Sequence, residues 1–166
     1  DNASVKMLSF NGDQINISTK GKAQKRVDAQ ANKVAINAAG SSNCSVTATA
    51  GTLGLTSSNS SSVKVDGKFH NAELKSENTS ETTVTGECGS LKLETSGLSS
   101  VYSDGFAVTN AEVKMSNGNA WINAKDLVAV DIENGAYLVF NGSPRLDIVK
   151  VKNSSLLHPA DDKKKK

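Results

Sequence analysis

Residues 91–105 read LKLETSGLSSVYSDG, and the chain says nearly the same thing at 74–86, LKSENTSETTVTG, and at 130–142, VDIENGAYLVFNG. In each phrase apolar and polar residues alternate, a small polar corner intervenes, and the alternation resumes. Alternation with a period of two belongs to a strand, whose successive side chains point to opposite faces.

Taking the corner residue of each phrase as a marker gives Gly21, Gly40, Asn59, Asn78, Gly97, Ser116, Asn134 and Asn153, spaced by 19 residues except for one step of 18. Four residues before the markers stand Ile17, Ile36, Leu55, Leu74, Leu93, Glu112, Val130 and Val149. Glu112 breaks this column, and a one-residue bulge there restores Val113. Six residues after the markers stand Val27, Val46, Val65, Val84, Ser103, Ile122 and Phe140. A second corner recurs at Asp66-Gly67, Thr85-Gly86, Asp104-Gly105, Asn123-Ala124 and Asn141-Gly142. These pairs carry turn chemistry, because Gly accepts positive φ and Asp or Asn can bond to nearby backbone.

A fixed period near 20 residues marks a repeat architecture in which no unit buries its apolar face alone. The expected fold is all-β: a single-domain, right-handed parallel β-helix or solenoid with coils of about 19 residues. Residues 1–158 form the solenoid of about eight coils, with 1–12 as N-terminal cap, and 159–166 form a disordered Lys-rich tail. At roughly 4.8 Å per strand step the stack is on the order of 38 Å long.

Composition agrees. Aromatic residues are only 4 % of the 166, so the core is narrow and filled by Val, Leu, Ile and Ala. The formal charge of +2 comes from Lys163–Lys166; without 161–166 the body holds equal numbers of acids and bases. A neutral body with no basic stripe gives no footprint for nucleic acid. No apolar run approaches the ~18 residues of a membrane span. A first residue of Asp rather than Met suits a processed or truncated product.

Outward columns test the register. Lys75, Glu94, Lys114, Glu133 and Lys152 alternate in sign from coil to coil, and Glu73, Lys92, Glu112, Asp131 and Lys150 do so except between Glu112 and Asp131. Opposite charges on neighbouring strands stabilise their pairing, so this is read as a solvated structural face. On the second strand the outward column is Lys64, Thr83, Tyr102, Trp121 and Val139, flanked by Ser62, Glu81, Ser100, Asn119 and Tyr137. The only Trp and both Tyr residues thus gather outside the last three coils. Tyr102, Trp121 and Tyr137 are the candidate ligand or partner site, since exposed aromatics stack on sugars or anchor proteins. A subunit interface, a local cover, or a register slip that turns them inward are the competing readings.

No catalytic set assembles. Asp66 and Asp104 share a corner column two coils, or about 9.6 Å, apart, which falls near the carboxylate separation of inverting glycosidases. Both precede Gly at a turn, which already accounts for them. His70 and His158 lie far apart, and neither a metal cluster nor a phosphate loop is visible. Cys44 and Cys88 fall in inward columns about two coils apart, too far for a disulfide, and are expected as buried free thiols.

The small-polar corners TSGLSS, IENGAY and KNSSLL, the early GDQINISTKG and above all YLVFNGSPRLDIVKVKNSS at 137–155 resemble the putative auto-transporter adhesin, head-GIN domain family. The resemblance covers about residues 8–158. It departs from the pattern where Gly-Ser-Gly corners are replaced by Asn-Thr-Ser, Asn-Gly-Asn or Asn-Ser-Ser. It implies a β-helical stack and an exported, non-catalytic adhesin of the cell envelope or surface of a Gram-negative bacterium. The implied partners are carbohydrate or a host surface protein, with no cofactor. The alternatives are a structural envelope protein that assembles into homo-oligomers through the solenoid ends or the aromatic face, and, more remotely, a polysaccharide lyase or hydrolase.

Overall fold

The computed structural model describes residues 4–160, with side chains placed from residue 8 onward. Of the expected tail, Lys163–Lys166 and the two preceding aspartates lie outside the described residues. The described residues form ten strands: β1 (Ser4–Thr19), β2 (Gln24–Ala38), β3 (Asn43–Ser57), β4 (Ser62–Asn78), β5 (Glu81–Gly97), β6 (Ser100–Ser116), β7 (Asn119–Glu133), β8 (Tyr137–Asn141), β9 (Arg145–Val151) and β10 (Leu156–Pro159). All pair in parallel, β1 to β8 in chain order, with β10 on β8 and β9 on β7. Each strand from β1 to β7 is one coil of a β-solenoid. The eighth coil divides into β8 and β9, where Gly142 adopts φ 91° and Pro144 has no N–H for the ladder. Residues of the expected N-terminal cap, from Ser4 on, belong to β1 and pair with β2.

The main corner sits where the period placed it. Gly21, Gly40, Asn59, Asn78, Gly97, Asn134 and Asn153 all have φ between 54° and 77°, the left-handed region that Gly and Asn tolerate best. In the sixth coil the left-handed residue is Asn117, φ 72°, rather than the expected Ser116. The correction makes the local steps 20 and then 17 residues (97 to 117 to 134).

Beneath these corners lies a buried column of hydroxyls. Ser57 Oγ is 2.7 Å from Thr82 Oγ1, 3.1 Å from Ser76 Oγ and 3.3 Å from Ser80 Oγ. Ser80 in turn donates to the carbonyls of Ser57 and Glu77, at 3.2 and 2.9 Å. Ser57, Ser76, Ser80 and Thr82 therefore satisfy one another, and among the described residues no buried side-chain N or O atom lacks a partner. On the outside, Asn78 Nδ2 donates to Asn59 Oδ1 at 3.2 Å, and Asn153 to Asn134 at 3.0 Å.

The second corner is not a break. From β1 to β7 each coil passes through it as one strand, and from β3 to β5 pairing continues across it without a register shift. The coils press closely there: a Cβ on Gly67 would come 1.9 Å from the Ala48 carbonyl oxygen, and one on Gly86 1.9 Å from that of Gly67. β6 carries one extra residue in this bend, between Tyr102 and Phe106. That extra residue, and not a bulge at Glu112, returns Val113 to the core opposite Leu93. It also turns Phe106 fully inward over Gly86, edge-on to Phe69 with ring centroids 6.1 Å apart.

The shortened step to β7 corrects the charge columns. Lys75, Glu94, Lys114, Asp131 and Lys150 stack in successive coils, so the sign alternates at every step. Glu133 stands instead beside Ser116, and Glu112 beside Ala129, which removes the like-charge contact between Glu112 and Asp131. Lys150 bonds Asp131 at 3.0 Å and Glu133 at 3.1 Å, and these two bonds hold its pKa above the ordinary lysine value. In the last coil Ile148, not Val149, pairs with Val130. Both are exposed, because among the described residues no further coil stacks on β9.

Candidate functional site

Tyr102 (β6), Trp121 (β7) and Tyr137 (β8) come from three successive coils. Their inward neighbours, Val101 and Ser103, Ala120 and Ile122, and Leu138, are all fully buried. A slip of one residue would exchange these with the aromatics, so the core itself holds the rings outside. The register is the expected one: Lys64, Thr83, Tyr102, Trp121, Val139 and then His158 share a column, and Asn119, Tyr137 and Leu156 flank it.

The three rings form one cluster. Tyr102 and Trp121 are stacked with centroids 4.8 Å apart and planes 10° from parallel. Trp121 meets Tyr137 edge to face, at 6.2 Å and 71°. One face of Tyr102 is thus taken by Trp121, and the other looks back toward Thr83. Tyr102 is 37 % exposed, and the other two rings are half-buried. The column reading did not anticipate Val139: it stands in the outward phase yet is only 7 % exposed, between Trp121 and His158. Leu156, 61 % exposed beside Tyr137, extends the patch toward the C-terminal end. Its place follows from β10 pairing with β8, which the repeat alone did not show. Such a surface offers ring edges, two phenolic hydroxyls, the indole N–H and an apolar rim, a set suited to burial against a partner.

The carboxylate pair does not assemble. Asp66 accepts a hydrogen bond from Thr85 Oγ1 at 2.7 Å, whereas Asp104 falls within the register shift of β6 and leaves that column. His70 and His158 are both exposed. Among the described residues, no group of three or more His, Cys, Asp or Glu could hold a metal ion. Cys44 and Cys88 are free and buried. Burial raises both thiol pKa values; nearby Lys25 opposes this at Cys44, and hydrogen bonds with the Ser90 and Ala72 backbone oppose it at Cys88. Among the described residues, no helix is long and apolar enough to cross a membrane.

The sequence reading missed a concavity at the other end of the solenoid. An open trough of about 500 Å³ runs along the second bend of the first four coils, between Gly12 and Phe69. Its only sequence signal is the run of small residues Gly12, Ala31 and Ala50 in one column.

A family model described as "Putative auto-transporter adhesin, head GIN domain" matches residues 13–144. Neither the curated proteins nor the solved structures include a match to the chain.

Proposed function

The chain belongs to the family described as putative auto-transporter adhesin, head GIN domain, and on that footing we propose that it is a non-catalytic adhesive head that grips its ligand through Tyr102, Trp121 and Tyr137. The family's description names an adhesin, a role of attachment at a cell surface by an exported protein. The setting we propose is the envelope of a Gram-negative bacterium, and the ligand a carbohydrate or protein of a host surface. One observation carries the reading: the Trp and both Tyr residues of the chain share a single outward patch, while Phe69 and Phe106 are buried. Aromatic residues with a polar tip are the usual anchors of recognition surfaces.

The test is a screen of glycans and host-surface glycoproteins with the wild type beside Tyr102→Ala/Trp121→Ala, both confirmed folded by circular dichroism. Specific binding that the variant loses supports the reading. Binding retained in full by the variant removes these residues from the site.

A second reading, self-assembly of a structural envelope protein, has its own observation. β9 and β10 expose Ile148 at 55 %, Val149 at 69 % and Leu156 at 61 % along an edge that no other strand pairs among the described residues, and such edges invite pairing. Sedimentation at rising concentration decides it: a strict monomer excludes this reading and leaves the adhesive one standing.

A further inference from the structure

The second bend differs between the two ends of the solenoid. Its inward column begins Gly12, Ala31, Ala50 and Phe69. A Cβ on Gly12 would meet nothing within 4 Å, and Ala31 is half-buried. Phe69 then fills the column, 6 % exposed and braced by Phe106. The result is the trough of about 500 Å³, open to solvent, lying along the solenoid axis and closed at its far end by Phe69. Gln30, Thr49 and Lys68, stacked in successive coils, form one wall. Asn32 and His70 stand on the other. A second trough of about 380 Å³ runs on the far side of Gln30 and Thr49, floored by Ala29 and Ala48, with Phe10 at its end.

The walls select a chemistry. Gln30, Asn32 and Thr49 are uncharged, and each offers both a donor and an acceptor. Lys68, the charged residue of the wall, pairs with Glu87 at 3.4 Å, and Asp13 accepts from Asn32 Nδ2 at 2.6 Å. The floor is shallow and runs past the small residues Gly12, Ala31 and Ala50. The wall residues repeat once per coil, at about 4.8 Å, close to the advance of one residue along an extended 1,4-linked sugar chain.

We propose that this trough is a second binding site, distinct from the aromatic face, which holds a linear uncharged polysaccharide along the solenoid axis with about one sugar facing each coil. Gly12 keeps the floor open, and Gln30, Asn32 and Thr49 bond the sugar hydroxyls.

The test is affinity electrophoresis of the full chain in gels containing soluble 1,4-linked polysaccharides, namely hydroxyethyl cellulose, glucomannan and arabinoxylan, with polygalacturonate as the charged control. Gly12→Leu fills the trough, Gln30→Ala/Thr49→Ala strips one wall at exposed positions with little demand on folding, and Trp121→Ala alters only the aromatic face. The expected result is retardation by at least one neutral polysaccharide, weakened at least about tenfold by either trough variant, as the loss of buried hydrogen bonds implies, and unchanged by Trp121→Ala. Absence of retardation in all the neutral gels, stronger retardation by polygalacturonate, or full retardation of the folded Gln30→Ala/Thr49→Ala variant would each overturn the proposal. Retardation lost only in Trp121→Ala would also overturn it, while supporting the aromatic face.

Discussion

Tyr102 and Trp121 hold their rings 4.8 Å apart and within 10° of parallel, the same step that separates neighbouring strands of a sheet, about 4.8 Å. The solenoid therefore sets the stacking distance, and the indole reports on it. Tyr102→Ala should expose one face of Trp121 and shift its fluorescence emission to the red. It should cost about 0.5–1.5 kcal/mol in denaturant unfolding, with the far-UV spectrum unchanged. An emission maximum that does not move would mean that the two rings do not stack in solution.

The hydroxyl column predicts a polar contribution to the core. Ser57→Ala leaves Thr82 with only its 3.4 Å contact to Ser76. Depriving buried hydroxyls of a partner costs about 1–3 kcal/mol. The loss should be visible in urea unfolding, whereas removal of the exposed Ser60 hydroxyl, which meets only Thr79, should change stability by less than about 0.5 kcal/mol.

Glycines in this chain divide sharply by position. Gly86→Ala places a Cβ 1.9 Å from a backbone oxygen at a φ of 110°, a clash that only a backbone shift can relieve. It should destabilise by at least about 3 kcal/mol. Gly54→Ala meets nothing within 4 Å and should be neutral or slightly stabilising, through a lower entropy of the unfolded chain. Comparable melting temperatures for the two variants would contradict the close approach of the coils at the second bend.

The two thiols predict a direction of pH dependence. Burial raises the pKa of Cys44 and Cys88 in the folded chain, so their contribution to stability is complete below the unfolded value of about 8.5. Above it the unfolded chain gives up protons that the folded chain keeps, and stability falls as pH rises toward the raised folded values. Cys44→Ala/Cys88→Ala should flatten the alkaline side of the stability profile. In the native wild type, both thiols should react with a disulfide reagent only on unfolding.

The period, the strand parity and the main corners were legible in the amino-acid sequence, because each depends on a local property. Alternation sets which face a side chain takes, and a left-handed corner selects Gly or Asn wherever it recurs. For the same reason Tyr102, Trp121 and Tyr137 could be assigned to one outward patch before any coordinates: on a parallel stack, residues 19 apart become neighbours.

Only the tertiary structure decided where the repeat departs from its period. An extra residue can be absorbed at many points of a coil without disturbing the alternation around it, so the sequence did not separate a bulge at Glu112 from one at Ser103–Gly105. The choice rests on contacts satisfied together across coils: Phe106 inward over Gly86, Val113 opposite Leu93, and Asp131 between Lys114 and Lys150. The continuity of β1 to β7 through the second bend, the stacking of the rings and the trough above Gly12 are likewise properties of neighbouring coils in contact. A single strand carries the identity of each side chain, but the space left beside it depends on what the coils above and below place there.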